Sequence, residues 1–110
     1  MSELHALVVI EADGDERERI LELLDPEAEV ADGPSIDAFI EWSDGAPVVI
    51  VFGPSFTSVQ GLHEVEQLLA DRAECEAELA TTKMTAAVLQ RALRAGVRDV
   101  VHLGTGGGET

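Results

Sequence analysis

Five consecutive large apolar residues, Val48-Val49-Ile50-Val51-Phe52, stand between Pro47 and the pair Gly53-Pro54. Most are β-branched and the run is apolar on both faces. Such a run reads as a central strand with helices covering both sides of a parallel sheet. Pro47 fits the first strand position, where a missing N–H is tolerated, and Gly53-Pro54 ends the strand in a turn. In open α/β sheets the chemistry sits just past the carboxyl ends of such strands. Phe52, Gly53 and Pro54 supply no acid, base or nucleophile there.

The segments on either side alternate in the same way. Leu4 to Ile10 reads as a first buried strand, and the acidic loop Glu11-Ala12-Asp13-Gly14-Asp15 follows it. Asp13 or Asp15 can cap a helix running to about Leu24, with Ile20, Leu21 and Leu24 inward and Asp25-Pro26 as its stop. Glu27 to Ala31 offers a short strand around Val30, poor in apolar residues and so placed toward a sheet edge. Gly33-Pro34 turns, and Ser35 caps a helix to about Ser43 carrying Ile36, Phe39 and Ile40, with Trp42 packing at its end and Asp44-Gly45 breaking it. A third helix, Val59 to Asp71, presents Leu62, Val65, Leu68 and Leu69. Gly61 within it costs about 1 kcal/mol against alanine, which suggests that a neighbour approaches closely. Glu76 to Thr82 reads as a strand, with Ala77, Leu79 and Thr81 on one face, although two glutamates in so short a strand are unusual. Thr85 to Ala95 forms a fourth helix, with Val88, Leu89, Ala92 and Leu93 recurring on it and Gly96 as the residue after its end. Val97 to Leu103 is the last strand.

The order β-α-β-α-β-α-β-α-β implies right-handed crossovers and a doubly wound parallel sheet. The fold class expected is α/β: a flavodoxin-like three-layer sandwich with a five-stranded parallel sheet of order 2-1-3-4-5. A fifth helix would be expected after the last strand, and the chain continues instead into glycines. Residues 1–103 are read as one domain and residues 104–110 as a flexible glycine-rich tail. That tail has Glu109 where a phosphate-binding loop has lysine, and no helix follows it.

The formal net charge of −15 argues against nucleic acid and anionic membrane surfaces as partners, because phosphates are repelled. It favours basic or apolar partners, and reads equally well as the mark of a halophilic or high-GC host. The single cysteine, Cys75, permits no internal disulfide, which fits a reducing cytoplasm, and its neighbours Glu74 and Glu76 offer no cation to activate the thiol. The N-terminus has no signal-peptide pattern, and no apolar run approaches membrane-spanning length. His5, His63 and His102 show no ligand spacing, so no metal is assigned.

Two motifs carry a family resemblance. The segment from Ala87 through Gly96 to Val101, Ala-Val-Leu-Gln-Arg-Ala-Leu-Arg-Ala-Gly-Val-Arg-Asp-Val-Val, resembles the helix-to-strand segment of CpaE/TadZ-like proteins of pilus and secretion loci. Val51-Phe52-Gly53-Pro54-Ser55 is similar to the end of the third strand in that family. The resemblance covers nearly the whole chain to Leu103 and places it in the receiver superfamily of response regulators. It implies a domain that precedes a MinD/ParA-like ATPase in longer proteins, acts in the cytoplasm at a pole or septum, and meets other proteins of a pilus, secretion or division locus.

The same resemblance shows what is missing. A working receiver has an acidic pair after strand 1, an aspartate at the end of strand 3, a hydroxyl after strand 4 and a lysine after strand 5. The acids hold Mg²⁺, the aspartate attacks phosphorus, and the hydroxyl and lysine meet the phosphoryl oxygens. Here Glu11 matches the first acid, Ala12 replaces the second, and Asp13 follows in the loop. Gly53 stands at the phosphoacceptor position, Thr81 matches the hydroxyl, and about Leu103 stands where the lysine belongs, with Lys83 in the wrong loop. Glu11 and Asp13 are expected as helix caps and solvated loop charge. The expectation is a pseudo-receiver without catalytic residues or cofactor, a homodimer pairing through Gln90, Arg91, Arg94, Arg98 and Asp99. Two alternatives stand beside it: a phosphorylatable receiver using Asp13 or a displaced acid, and a small-molecule module using the space around Gly53, Thr81 and Glu11.

Overall fold

The computed structural model describes residues 6–24, 30–42 and 47–103. Its elements are β1 (Ala6–Ile10), α1 (Gly14–Leu23), β2 (Val30–Gly33), α2 (Ile36–Trp42), β3 (Val48–Phe52), α3 (Val59–Asp71), β4 (Glu76–Thr81), α4 (Ala86–Ala95) and β5 (Asp99–His102), with a 3₁₀ turn at Pro54–Phe56. The expectations for His5, for the Asp25-Pro26 and Asp44-Gly45 stops, for the Trp42 side chain and for the tail lie outside the described residues.

The sheet is parallel throughout, in the expected order β2-β1-β3-β4-β5. Helix starts follow from short polar side chains. Asp13 caps α1 by accepting from the amides of Asp15 and Glu16, Ser58 caps α3 through Gly61, and Thr85 caps α4 through Val88. Ser35 Oγ accepts from the Ala38 amide at the start of α2. Gly96 ends α4 at φ +100°, a conformation that side chains rarely adopt.

Two apolar layers flank the sheet. On one side α2, α3 and α4 bury Phe39, Leu62, Val65, Leu68, Val88 and Ala92 against Val8, Ile10, Ile50, Phe52, Ala77 and Leu79. On the other side α1 places Ile20 against Val9, Val51, Ala80 and Leu103. Among the described residues no helix follows β5. The second face is finished differently: by strand alternation Glu76, Glu78 and Asp99 point to it, and Arg98 ion-pairs there with both glutamates. This accounts for the two glutamates that look out of place in β4. They stand on the part of the sheet that α1 does not cover.

Two apolar positions depart from the helical reading. Leu93 is 60% exposed and Ile40 43% exposed, because each lies on the flank of its helix and not on the inward stripe. β5 is shorter than the run Val97 to Leu103. Val97 and Leu103 are nevertheless buried at its two ends, and the Leu103 amide still bonds the Thr81 carbonyl at 2.8 Å.

Gly61 is where the backbone approach is closest. A Cβ there would lie 2.6 Å from Phe56 Cα and 2.9 Å from its carbonyl carbon. Backbone atoms cannot rotate aside, so Gly61→Ala forces α3 off the 3₁₀ turn. The expected loss is about 2 kcal/mol in denaturant unfolding despite alanine's better helix propensity; a neutral or stabilising result would refute the close packing.

Candidate functional site

The register Ile10↔Phe52 between β1 and β3 brings the next residues, Glu11 and Gly53, side by side at the carboxyl end of the sheet. The Gly53 amide bonds the Ile10 carbonyl at 3.0 Å, and the Glu11 amide bonds the Gly33 carbonyl at 3.1 Å. Glu11 is thereby held between β2 and β3, and its side chain has one direction open to it, across Gly53.

That side chain is fully buried. Its carboxylate accepts from the Ser55 amide at 2.9 Å, from the Ser55 hydroxyl, and from the Asp13 amide at 2.8 Å. A Cβ on Gly53 would meet Glu11 Oε1 at 2.3 Å, its Cβ at 2.8 Å and its Cδ at 2.9 Å. The acid that was expected as solvated loop charge is therefore packed into the space that a side chain at position 53 would need. The physical reason is the pairing of β1 with β3, which turns Glu11 inward and gives it three donors in place of water. Asp13 behaves as expected: it is exposed and committed to the α1 cap at 2.9 and 3.2 Å.

The remaining positions are also occupied. Thr81 is fully buried; its hydroxyl accepts from the Lys83 amide at 3.0 Å and bonds the Thr57 hydroxyl at 2.9 Å. Leu103 is 1% exposed and belongs to the α1-side apolar cluster, so the position compared with the lysine carries a core residue. Lys83 is exposed. Arg17, on α1, donates to the Glu11 carbonyl at 2.6 Å and pairs with Asp32 at 3.1 Å, which ties β1, β2 and α1 together from outside the site. Among the described residues no group of three or more His, Cys, Asp or Glu side chains is placed to hold a metal ion. Ser55 and Thr57 carry no role in the sequence reading. Their signal lay in position: polar residues just after the turn that ends β3, opposite an acid that ends β1.

Cys75 is buried, and desolvation, together with Glu74, pushes its thiol up from the ordinary value, with Arg72 opposing. His63 is surface-exposed on α3, 3.9 Å from Glu66, and His102 is exposed on β5.

The five residues expected at an interface are all exposed. Arg91 and Arg94 line a groove of about 180 Å³ between α3 and α4, beside Val59 and Ala95. Arg98 is held by Glu76 and by Glu78 at 3.4 Å, and the Asp99 carboxylate accepts from the Val100 amide at 2.9 Å. Gln90 is exposed on α4. Among the described residues Arg91 and Arg94 make no ion pair, unlike Arg17, Arg19 and Arg98.

A parallel sheet of order 2-1-3-4-5 flanked by helices is the flavodoxin-like arrangement that receiver domains share. Solved structures agree. The response regulator DrrB of Thermotoga maritima is similar at 17% identity and TM-score 0.72, over 91% of this chain and 46% of that one. Two pilus proteins share the fold as well. One is a cpaE pilus assembly protein of Burkholderia thailandensis, at 17% identity and TM-score 0.70 over 89% of this chain and 84% of that one. The other is a pilus assembly-related protein of Burkholderia pseudomallei, at 19% identity and TM-score 0.71 over 90% of this chain and 78% of that one. At these identities the shared property is the receiver fold. No family model matches the chain, and no curated protein matches it. No helix among the described residues is long and apolar enough to cross a membrane.

Proposed function

We propose that this chain is a non-catalytic receiver-type domain that works by binding proteins, itself included, and that it serves the placement of pilus or secretion machinery at a cell pole or septum. The pilus-assembly names of two fold neighbours and the motif resemblance support the setting. The observation that carries the reading is the Glu11 carboxylate lying across Gly53 with three donors of its own. The phosphoacceptor is absent and its space is filled. The small-molecule alternative is weakened by the same fact, because Glu11, Gly53 and Thr81 are all buried and leave no opening among themselves.

Self-association draws on α4. Arg91 and Arg94 make no ion pair among the described residues, on a chain of net charge −15, so a second copy offers them carboxylates in abundance. Light scattering across a concentration series tests this. The wild type is expected to dimerise, and Arg91→Glu with Arg94→Glu is expected to raise the dimer Kd by about tenfold or more. An unchanged constant would remove this face. A wild type that stays monomeric at every concentration would remove self-association.

A further inference from the structure

An open trough runs along the surface between α2 and α3. Two adjoining cavities of about 360 and 330 Å³ share Ser35, Ile36 and Glu64 and form one trough along α3. The trough exists because α2 spans only Ile36–Trp42 while α3 runs Val59–Asp71, so the shorter helix does not fill the side of the longer one.

Its walls have a pattern. On α3, Glu64, Leu68 and Asp71 recur at i, i+4 and i+7, which puts an apolar residue between two acids on one helix face. On α2, Ile36, Asp37 and Ile40 present two apolar side chains beside a third acid. Leu68 is buried in the floor and Ile40 is 43% exposed at the rim. No lysine or arginine lines either cavity. Asp37, Glu64 and Asp71 make no ion pair among the described residues.

We infer that this trough docks a basic amphipathic helix of a partner protein, with that helix's apolar stripe on Ile36, Ile40 and Leu68 and its arginines or lysines on Asp37, Glu64 and Asp71. The inference rests on the protein-binding role proposed above and names the chemistry of one partner. Three features select it. The trough's lining residues on α3 run from Gln60 to Asp71, about three helical turns, which suits a helix laid in a groove. Its charge is of one sign, on a chain whose overall charge of −15 steers cations toward it. A second copy is a poor occupant: of its seven lysines and arginines, Arg17, Arg19 and Arg98 are held by acids of their own chain, and Arg91 and Arg94 are the cations assigned above to the α4 contact, on a helix that offers no apolar stripe flanked by further cations.

The test is a fluorescence anisotropy titration with a dye-labelled peptide of about four turns, carrying leucines at i, i+4 and i+7 flanked by arginines. A second peptide has the same composition in an order that breaks the stripe. The proteins are the wild type, the double reversal Asp37→Lys/Glu64→Lys, the single change Ile40→Ser, and a control reversal on α1, Glu18→Lys/Glu22→Lys, which makes the same change in net charge at exposed positions. Circular dichroism confirms that each variant is folded. The wild type is expected to prefer the striped peptide by about tenfold or more. The trough reversal should weaken it by about tenfold, Ile40→Ser by about threefold to fivefold, and the α1 reversal by less than about threefold. Equal weakening by the two reversals, equal affinity for the two peptides, or no binding of the striped peptide would each overturn the proposal. The underlying reading falls separately, if the intact protein accepts a phosphoryl group from a small donor. The peptide result alone decides the trough.

Discussion

Gly53→Ala is expected to cost about 3 kcal/mol of stability, a fall in Tm of more than about 10 °C for a domain of this size. Most glycine-to-alanine changes cost far less. Here the added methyl would stand on Glu11, within 2.8 Å of its Cβ as well as 2.3 Å from its oxygen, so rotating the carboxylate tip does not suffice. Glu11 must leave, and with it go the bonds to Ser55 and Asp13. Hydrogen bonds to a charged group are worth about 1.5–3 kcal/mol each, and part of that returns when water reaches the freed amides. A double-mutant cycle gives the sharper form. Glu11→Gly alone should cost at least as much, and adding Gly53→Ala to it should then cost less than about 1 kcal/mol, because the carboxylate and the Cβ that obstruct the methyl are both gone. Additive losses, measured by denaturant unfolding, would mean that the two positions do not compete for one space.

Leu103→Lys is the second large effect. It would restore the residue type that a working receiver carries near this position. In this chain it would place an amine at a site that is 1% exposed, among Val9, Ile20, Val51 and Ala80. The leucine's packing is lost and the cation has no acid among these neighbours, so the expected cost is about 3–5 kcal/mol. Burial would hold the folded-state pKa of that amine below its unfolded value of about 10.4, so the unfolded state binds more protons over the interval between them. The deficit should therefore shrink as pH rises through that interval. A variant as stable as the wild type at neutral pH would show that the side chain reaches solvent, and the site would then be open to a cation after all.

Most of the fold can be read along the chain because its signals are local. The run Val48 to Phe52, the caps at Asp13 and Ser35, and Gly96 after α4 each act over a few residues, and each stands where it was expected; the caps at Ser58 and Thr85 are equally local but carry no expectation in the sequence reading. The sheet order follows from alternation together with the family resemblance. The site was legible only in part. The absence of an acid at position 53 is visible in the sequence, but the destination of Glu11 is not. It depends on β1 and β3 pairing so that Ile10 meets Phe52, a contact between residues 42 positions apart, and on Ser55 arriving from beyond the turn. Ile40 and Leu93 failed for a related reason. Helical spacing tells which residues are neighbours on a helix, while the edge of the buried stripe is set by what packs against it. Glu76 and Glu78 make the converse case: they weaken the strand pattern because they face the part of the sheet that no described helix covers.

If Glu11 closes the site to phosphotransfer, as proposed above, the protein takes up no phosphoryl group. The most direct test is the intact mass of the protein after incubation with a small phosphodonor and Mg²⁺. An unchanged mass is expected under conditions that fully modify a working receiver run alongside. A stable gain of one phosphoryl group, on Asp13 or on any other acid, would contradict it.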